Sequence, residues 1–288
     1  MDAYESALRL IPPRYIDICR RSCAGAEEFR LRVGQGMTAL CAGRERRLPG
    51  DPLREEELLR VLEKATGASV HSAAAEMARG FVSWQGLRIG LCGVAVEHDG
   101  AFRGFRSYSS LSIRIPHEAR GACDGIFRTM RDGSFVNTLI LSPPGGGKTT
   151  ALRELIRLFA NSGRRVGVVD ERGEIAAVCG ARPGFDLGQA CDVMSLCGKR
   201  EGAMMLLRGM NEQILAMDEI TQPEDLAVIR EIVGCGVGIL ATAHAAGAVE
   251  LRQRPLYASL LDEQLFTRAV LIRQTGGERR YELCALPA

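Results

Sequence analysis

Hydrophobic and polar positions follow one rule in the first part of the chain and another in the second. Phe29–Val33 and Met37–Ala42 are short strand-like stretches separated by Gly34-Gln35-Gly36, which predicts a hairpin. Leu53–Lys64 sets Leu58, Leu59, Val61 and Leu62 on a helical stripe with Gly67 as a stop, and Ser72–Arg79 predicts a second short helix. Leu87–Val96 and Ser110–Ile115 read as strands, so the expected unit is a small α+β domain with helices packed on a sheet. Turn residues concentrated in Gly121–Ser134 mark a junction, giving domains at 1–133 and 134–288. Beyond it the strands Val136–Leu141, Val166–Asp170, Gln213–Asp218 and Gly238–Ala243 lack polar alternation, as strands covered on both faces do. Helices lie between them, most clearly Thr150–Ala160, where Leu152, Leu155, Ile156 and Phe159 fall on one face. A closing hairpin, Ala269–Arg273 and Arg280–Cys284, turns at Thr275-Gly276-Gly277. The predicted class is α/β: a parallel sheet between helices, preceded by a smaller α+β domain.

Composition narrows the partners more than the fold. The 288 residues are 46% hydrophobic and 25% charged, which excludes a disordered or collagenous chain. The formal net charge of +2 is spread evenly over both halves, and there is one Trp, so no direct nucleic-acid partner is expected. Of 37 basic residues only Lys64, Lys148 and Lys199 are lysines, which singles them out as positions where a compact ammonium is needed. Ten cysteines without a Cys-x-x-Cys pair are expected to be free core thiols in a reducing compartment, with no zinc site at Cys191 and Cys197. Met1–Glu5 has no basic and apolar leader pattern, and no apolar run approaches about eighteen residues, so no transmembrane segment is expected.

Between the first strand and the first helix of the second domain sits Ser142-Pro143-Pro144-Gly145-Gly146-Gly147-Lys148-Thr149, followed by Thr150. It matches the phosphate-loop pattern Gly-x-x-x-x-Gly-Lys-[Ser/Thr] except that Ser142 stands at the first glycine. Consecutive glycines let backbone N–H groups converge on phosphate oxygens, the helix N-terminus adds a favourable dipole, and Lys148 can reach the β and γ phosphates. Thr149 can ligate Mg²⁺, so ATP with Mg²⁺ is the expected ligand. In Ile214-Leu215-Ala216-Met217-Asp218-Glu219 a buried strand ends in two carboxylates: Asp218 for the metal shell and Glu219, facing the other way, to orient the attacking water. Ala241-Thr242-Ala243-His244 ends the next strand and brings an imidazole to the same sheet edge, where it suits a γ-phosphate sensor. Three arginines stand out by place as stabilisers of phosphoryl charge, in cis or across a subunit boundary: Arg172, Arg208 and Arg114, with Arg106 in reserve.

These segments together resemble the stage III sporulation protein AA family, relatives of the hexameric ATPases that drive type II and type IV secretion. The resemblance is carried by Ser110-Leu111-Ser112-Ile113-Arg114-Ile115, the phosphate loop with Thr150, Val168-Val169-Asp170-Glu171-Arg172 with Glu174-Ile175-Ala176, and Lys199 with Glu201-Gly202. Leu207-Arg208, Asp218-Glu219-Ile220, Glu224-Asp225 and Ala241–His244 extend it over most of the chain. It implies a P-loop (RecA-like) ATPase core, a homo-oligomer, most simply a hexamer, and a cytoplasmic mother-cell protein held at the inner membrane by channel proteins that join mother cell and forespore. By the same analogy Glu171 belongs to an acidic box and His244 to a histidine box. One departure concerns Gly188-Gln189-Ala190-Cys191-Asp192-Val193, where the family pattern has Arg in place of Ala190. If that arginine contacts nucleotide or a neighbour, either activity is reduced or Arg182 or Arg200 substitutes.

The leading functional reading is an oligomeric ATPase that drives assembly of, or transport through, the sporulation channel. A nucleotide-dependent scaffold with little turnover and a nucleic-acid-linked P-loop ATPase are the alternatives. A small-molecule kinase fits least, because a kinase excludes the water that Glu219 is there to activate.

Overall fold

The computed structural model describes residues 3–287 apart from 42, 68–73, 75, 99–100, 179–180 and 276–277. The chain divides into two compact units, Met1–His117 with Cys179–Gly184, and Glu118–Val178 with Phe185–Ala288.

In the first unit α1 (Ala3–Leu10) and α2 (Pro13–Ser22) lead into β1 (Ala26–Arg32), β2 (Thr38–Cys41) and β3 (Arg44–Arg47). Then come α3 (Glu55–Ala65), β4 (Phe81–Trp84), β5 (Leu87–His98) and β6 (Ala101–Arg114). The strands pair antiparallel in the order β3-β2-β1-β6-β5-β4. Alternation sorts the two faces: Phe29, Leu31, Ile89, Leu111 and Ile113 join Leu8, Leu58 and Leu62 in one core. Arg30, Arg32, Arg88, Ser110, Ser112 and Arg114 share the opposite face by register. In α3 the three glutamates Glu55–Glu57 lie in the first turn, where the helix dipole favours them. Leu59 is 39% exposed, so it does not share the core stripe expected of it; a 3.6-residue period aligns Leu58, Val61, Leu62 and Ala65 and turns Leu59 aside. The short helix expected at Ser72–Arg79 falls largely outside the described residues, of which Glu76–Ala78 are helical.

The second unit runs α4 (Asp124–Met130), β7 (Thr138–Ser142), α5 (Lys148–Asn161), β8 (Val166–Asp170), β9 (Cys191–Ser195) and α6 (Lys199–Gly209). It continues through β10 (Ile214–Met217), α7 (Pro223–Gly234), β11 (Gly238–His244), α8 (Ala248–Arg252), α9 (Pro255–Asp262), β12 (Arg268–Thr275) and β13 (Glu278–Ala285). The sheet order is β13-β12-β7-β11-β10-β8-β9, parallel throughout except for the antiparallel edge hairpin β12–β13. Its two faces feed separate cores. Ile140, Val168 and Ala216 pack with Leu152, Leu155 and Phe159 of α5, whereas Leu139, Val169, Leu215 and Met217 pack with Leu206, Ile229 and Leu260. Residues β7, β8 and β10 are buried from end to end, which is why they read as unbroken apolar runs.

Two further expectations change, and one strand is unanticipated. The division between units falls at His117/Glu118, ahead of the turn-rich stretch, because Cys123, Ile126, Phe127 and Met130 of the α4 region bury against Phe159 in the second unit's core. The cysteines are less buried than a core reading predicts: Cys19, Cys23 and Cys123 are buried, but Cys92 lies on the open face of β5 and Cys235 caps α7, both exposed. Strand β9 has half-buried residues throughout, a pattern without apolar continuity, and had no counterpart in the hydropathy reading. Among the described residues no helix is long and apolar enough to cross a membrane.

Candidate nucleotide site

Parallel pairing sets the C-terminal ends of β7, β8, β10 and β11 along one edge of the second unit's sheet. Register then decides which residues meet. His244, the last residue of β11, stands opposite Ser142, the last residue of β7, so the imidazole arrives beside the phosphate loop.

The loop connects β7 to α5 through Pro143, Pro144, Gly145 and Gly146. Gly147 caps α5 with φ +94°, a left-handed conformation in which glycine carries no side-chain penalty. The first-turn N–H groups of Lys148, Thr149 and Thr150 have no partner within the helix, which makes this terminus an anion cradle. Ser142 is fully buried and its hydroxyl donates to Pro143 O at 2.9 Å. A Cβ on Gly146 would run into that hydroxyl. The serine that replaces the first glycine therefore occupies room left by the absent side chain of Gly146, and the departure is absorbed inside the loop.

Lys148 is buried, 7% exposed. Its Nζ donates to Ser142 O at 3.1 Å and Pro143 O at 3.3 Å, and lies 2.6 Å from His244 Nδ1. An ammonium only donates, so Nδ1 accepts and the ring proton resides on Nε2, which is 3.1 Å from Glu219 Oε2. Lys148, His244 and Glu219 thus form one polar line. Burial pulls the Lys148 pKa below the usual lysine range, with Glu219 and Asp218 acting in the opposite sense. Asp218, also buried, accepts from Thr242 Oγ1 at 3.3 Å. The two carboxylates after β10 accordingly have different neighbours, as their opposite facing predicts.

A second cluster holds the segment after Glu219. Lys199 Nζ, at the start of α6, donates to Glu219 O at 2.5 Å and Asp225 Oδ2 at 2.9 Å, and lies 3.9 Å from Glu171 Oε2. Asp225 Oδ2 also accepts from the backbone of Thr221 and Gln222, and Tyr257 Oη donates to Ile220 O. Asp170, fully buried at the end of β8, accepts from the N–H groups of Ile175 and Ala176 at 3.0 and 2.8 Å and so folds the turn that carries Glu171 and Arg172. Burial raises the Asp170 carboxyl pKa while those donors pull it down. Hydropathy assigned no role to Asp170, Asp225 or Tyr257. For Lys199 the scarcity of lysine was the available signal.

The arginines separate. Arg172 is exposed in the turn at the C-terminal edge. Arg208 sits near the C-terminal end of α6, about 14 Å along the helix from Lys199 at 1.5 Å per residue. Since α6 returns to the start of β10, Arg208 lies toward the opposite edge of the sheet, which removes it from the phosphate-loop cluster. Arg114 belongs to the first unit, 65% exposed and 3.8 Å from Glu28, and Arg106 is exposed on the same strand. Ala190 precedes β9, and its carbonyl accepts from Val166 N at the N-terminal edge. About 16 Å of strand separates it from the loop edge, so an arginine there would not reach the phosphate site of its own chain. Arg200 is engaged by Glu231 at 3.2 Å, and Arg182 falls with the first unit.

The model of the family described as sporulation stage III, protein AA matches residues 16–282. The chain is 32% identical over 257 residues to stage III sporulation protein AA of Bacillus subtilis (strain 168), covering 87% of this chain and 83% of that protein. Two solved structures are similar at 14% identity. The Legionella pneumophila ATPase DotB has a TM-score of 0.62 over 95% of this chain and 80% of its own. The pilus retraction motor PilT with bound ADP has a TM-score of 0.63 over 94% and 83%. At that identity the likeness is one of fold.

Proposed function

The chain belongs to the sporulation stage III, protein AA family, and from that premise we propose that it is an oligomeric ATPase with a RecA-like core that drives assembly of, or transport through, the channel between mother cell and forespore. The observation that carries the reading is the polar line Lys148–His244–Glu219 running from the phosphate loop to the carboxylate after β10. The left-handed Gly147 and the uncapped first turn of α5 fit a polyphosphate.

Each residue then has a distinct task. The amides of Gly145–Thr150 bind phosphate oxygens, and the Lys148 ammonium exchanges the carbonyls of Ser142 and Pro143 for the β and γ phosphates. Thr149 and Asp218 would hold Mg²⁺, whose charge would offset that of the phosphates and the leaving group. His244, once Lys148 has turned away, acts as a γ-phosphate sensor in the tautomer that carries its proton on Nδ1, since phosphate oxygens only accept. Glu219 accepts a hydrogen bond from the attacking water and aligns it, with Glu171 as the reserve base. Arg114 from a neighbouring subunit of a hexamer is the proposed arginine finger, and Arg172 the cis alternative. The protein would work in the mother-cell cytoplasm, held at the inner membrane by channel proteins. The fold neighbours named an ATPase and a retraction motor support this reading by kinship of fold alone.

Titration with a fluorescent ATP analogue and phosphate release on the same sample test it. Lys148→Ala is expected to weaken ATP about a hundredfold, and Glu219→Gln to keep binding while turnover falls about a hundredfold or more. Wild-type ATP affinity in Lys148→Ala overturns the nucleotide reading. Tight binding with no phosphate release from the wild type replaces the motor with a scaffold.

A further inference from the structure

The phosphate loop is flanked by an arginine that no motif predicts. A Cβ built on Gly147 would lie 3.1 Å from Arg279 Nε, 3.2 Å from its Cζ and 3.4 Å from its Cδ, so the guanidinium end rests against the residue that caps α5. The topology explains how it gets there. Strand β12 pairs with β7 up to Leu271↔Leu141 and then continues to Thr275, past the end of β7. Arg279, in register with Gln274 of that extension, comes back on β13 over the loop.

Without an anion beside it, this is an adverse location for a cation. The N-terminus of α5 carries the positive end of the helix dipole, and Lys148 is in the same loop. Other strand arginines that do have carboxylate partners include Arg273, with Glu282 at 3.1 Å, and Arg32, with Glu45 at 2.7 Å. Arg279 has neither a carboxylate partner nor a hydrogen-bond acceptor among the described residues. Two positive groups and a helix N-terminus converge on one small region with no protein anion beside Arg279. A polyanion bound there converts this repulsion into attraction, and a planar guanidinium can grip phosphate oxygens in bidentate fashion.

We propose that Arg279 is a phosphate-binding residue of the nucleotide site, supplied in cis by the C-terminal hairpin. The inference rests on the nucleotide reading above and adds to it a cation from the same chain. Gly147 is then required twice, for its left-handed backbone and because any side chain would stand between the amide cradle and Arg279.

Affinity for a fluorescent ATP analogue, measured at low and high salt, is the test, with melting temperature as the check on folding. Arg279→Gln is expected to bind about tenfold more weakly, with a shallower salt dependence because one ionic contact is gone. Arg279→Lys recovers most of the affinity, and Arg280→Gln, the next exposed arginine on the strand, binds as wild type. The proposal is overturned if Arg279→Gln keeps wild-type affinity and salt dependence while Lys148→Ala has lost binding. It is also overturned if the glutamine and lysine variants lose affinity equally together with melting temperature, since that marks a packing role. If Lys148→Ala itself binds as wild type, the nucleotide reading falls and this inference falls with it.

Discussion

The two sheets of this chain solve the same packing problem in opposite ways. The six-stranded antiparallel sheet buries one face, and its other face carries Arg30, Arg32, Arg88 and Arg114 with Ser110 and Ser112 between them. The central strands of the seven-stranded sheet are covered on both faces by separate cores and have no side-chain surface left for chemistry. Their polar residues are forced to the strand ends, and that is where Ser142, Asp170, Asp218, Glu219 and His244 gather. Polar side chains available for chemistry therefore lie along the strands of the first unit and at one edge of the second.

The two sheets should differ most in how they respond to loss of a side chain. Leu215→Ala, fully buried in the centre of β10, is expected to cost about 2–5 kcal/mol, whereas Ser112→Ala on the open face stays within about 0.5 kcal/mol; urea denaturation of both variants checks the contrast. Comparable losses would mean that the first sheet's open face is not solvated. Next in size is the loop. Gly146→Ala should lower ATP affinity tenfold or more, about 1–3 kcal/mol of overpacking against the Ser142 hydroxyl, and adding Ser142→Gly should restore it. Failure of the second substitution to rescue the first removes the compensation drawn between these two residues.

A smaller effect separates the two edges of the parallel sheet. Glu212, just before β10 at the edge away from the loop, is pushed up to about 7 by burial and by the neighbouring Asp192 carboxylate. Between its ordinary value of 4.5 and about 7, the folded chain holds a proton that the unfolded chain releases, so this group's stabilisation is complete at low pH and is lost as pH rises through that window. The loss is at most about 3 kcal/mol. Glu212→Gln should flatten the decline in stability from pH 5 to pH 8, and denaturation midpoints at the two pH values measure it. An unchanged slope would transfer the effect to other groups. Smallest is Arg114→Ala on the first unit, where turnover is expected to fall about tenfold, about 1.4 kcal/mol, with ATP affinity altered less. Equal loss of both would leave Arg172 as the finger to examine.

Much of the site was legible because it is local. The phosphate loop is contiguous in sequence, and the Asp218-Glu219 and Thr242–His244 groups each follow an apolar run whose burial the hydropathy announces. The four central parallel strands were legible for the same reason, since covering both faces demands uninterrupted apolar residues. Strand β9 and the α4 helix were not, because an edge strand with half-buried residues and a short helix in a turn-rich stretch carry weak periodicity.

The order of residues alone specifies which chemical groups exist and in what order the buried strands occur. Which of them meet was decided only by register and crossover. His244 reaches Lys148 because β11 inserts beside β7, more than ninety residues away in sequence. Arg208 is next to the Asp218 strand in sequence, yet the antiparallel return of α6 carries it to the far edge, while Lys199 at the other end of that helix reaches the Glu219 carbonyl. Ala190, where the family pattern has arginine, is set by the parallel pairing of β9 at the edge opposite the loop of its own chain. Arg279 comes to the phosphate loop only because β12 extends past the end of β7. Local pattern reports burial and conformation one segment at a time, but proximity between segments depends on strand order and register, and a change of a single pair in either would bring different residues to the same edge.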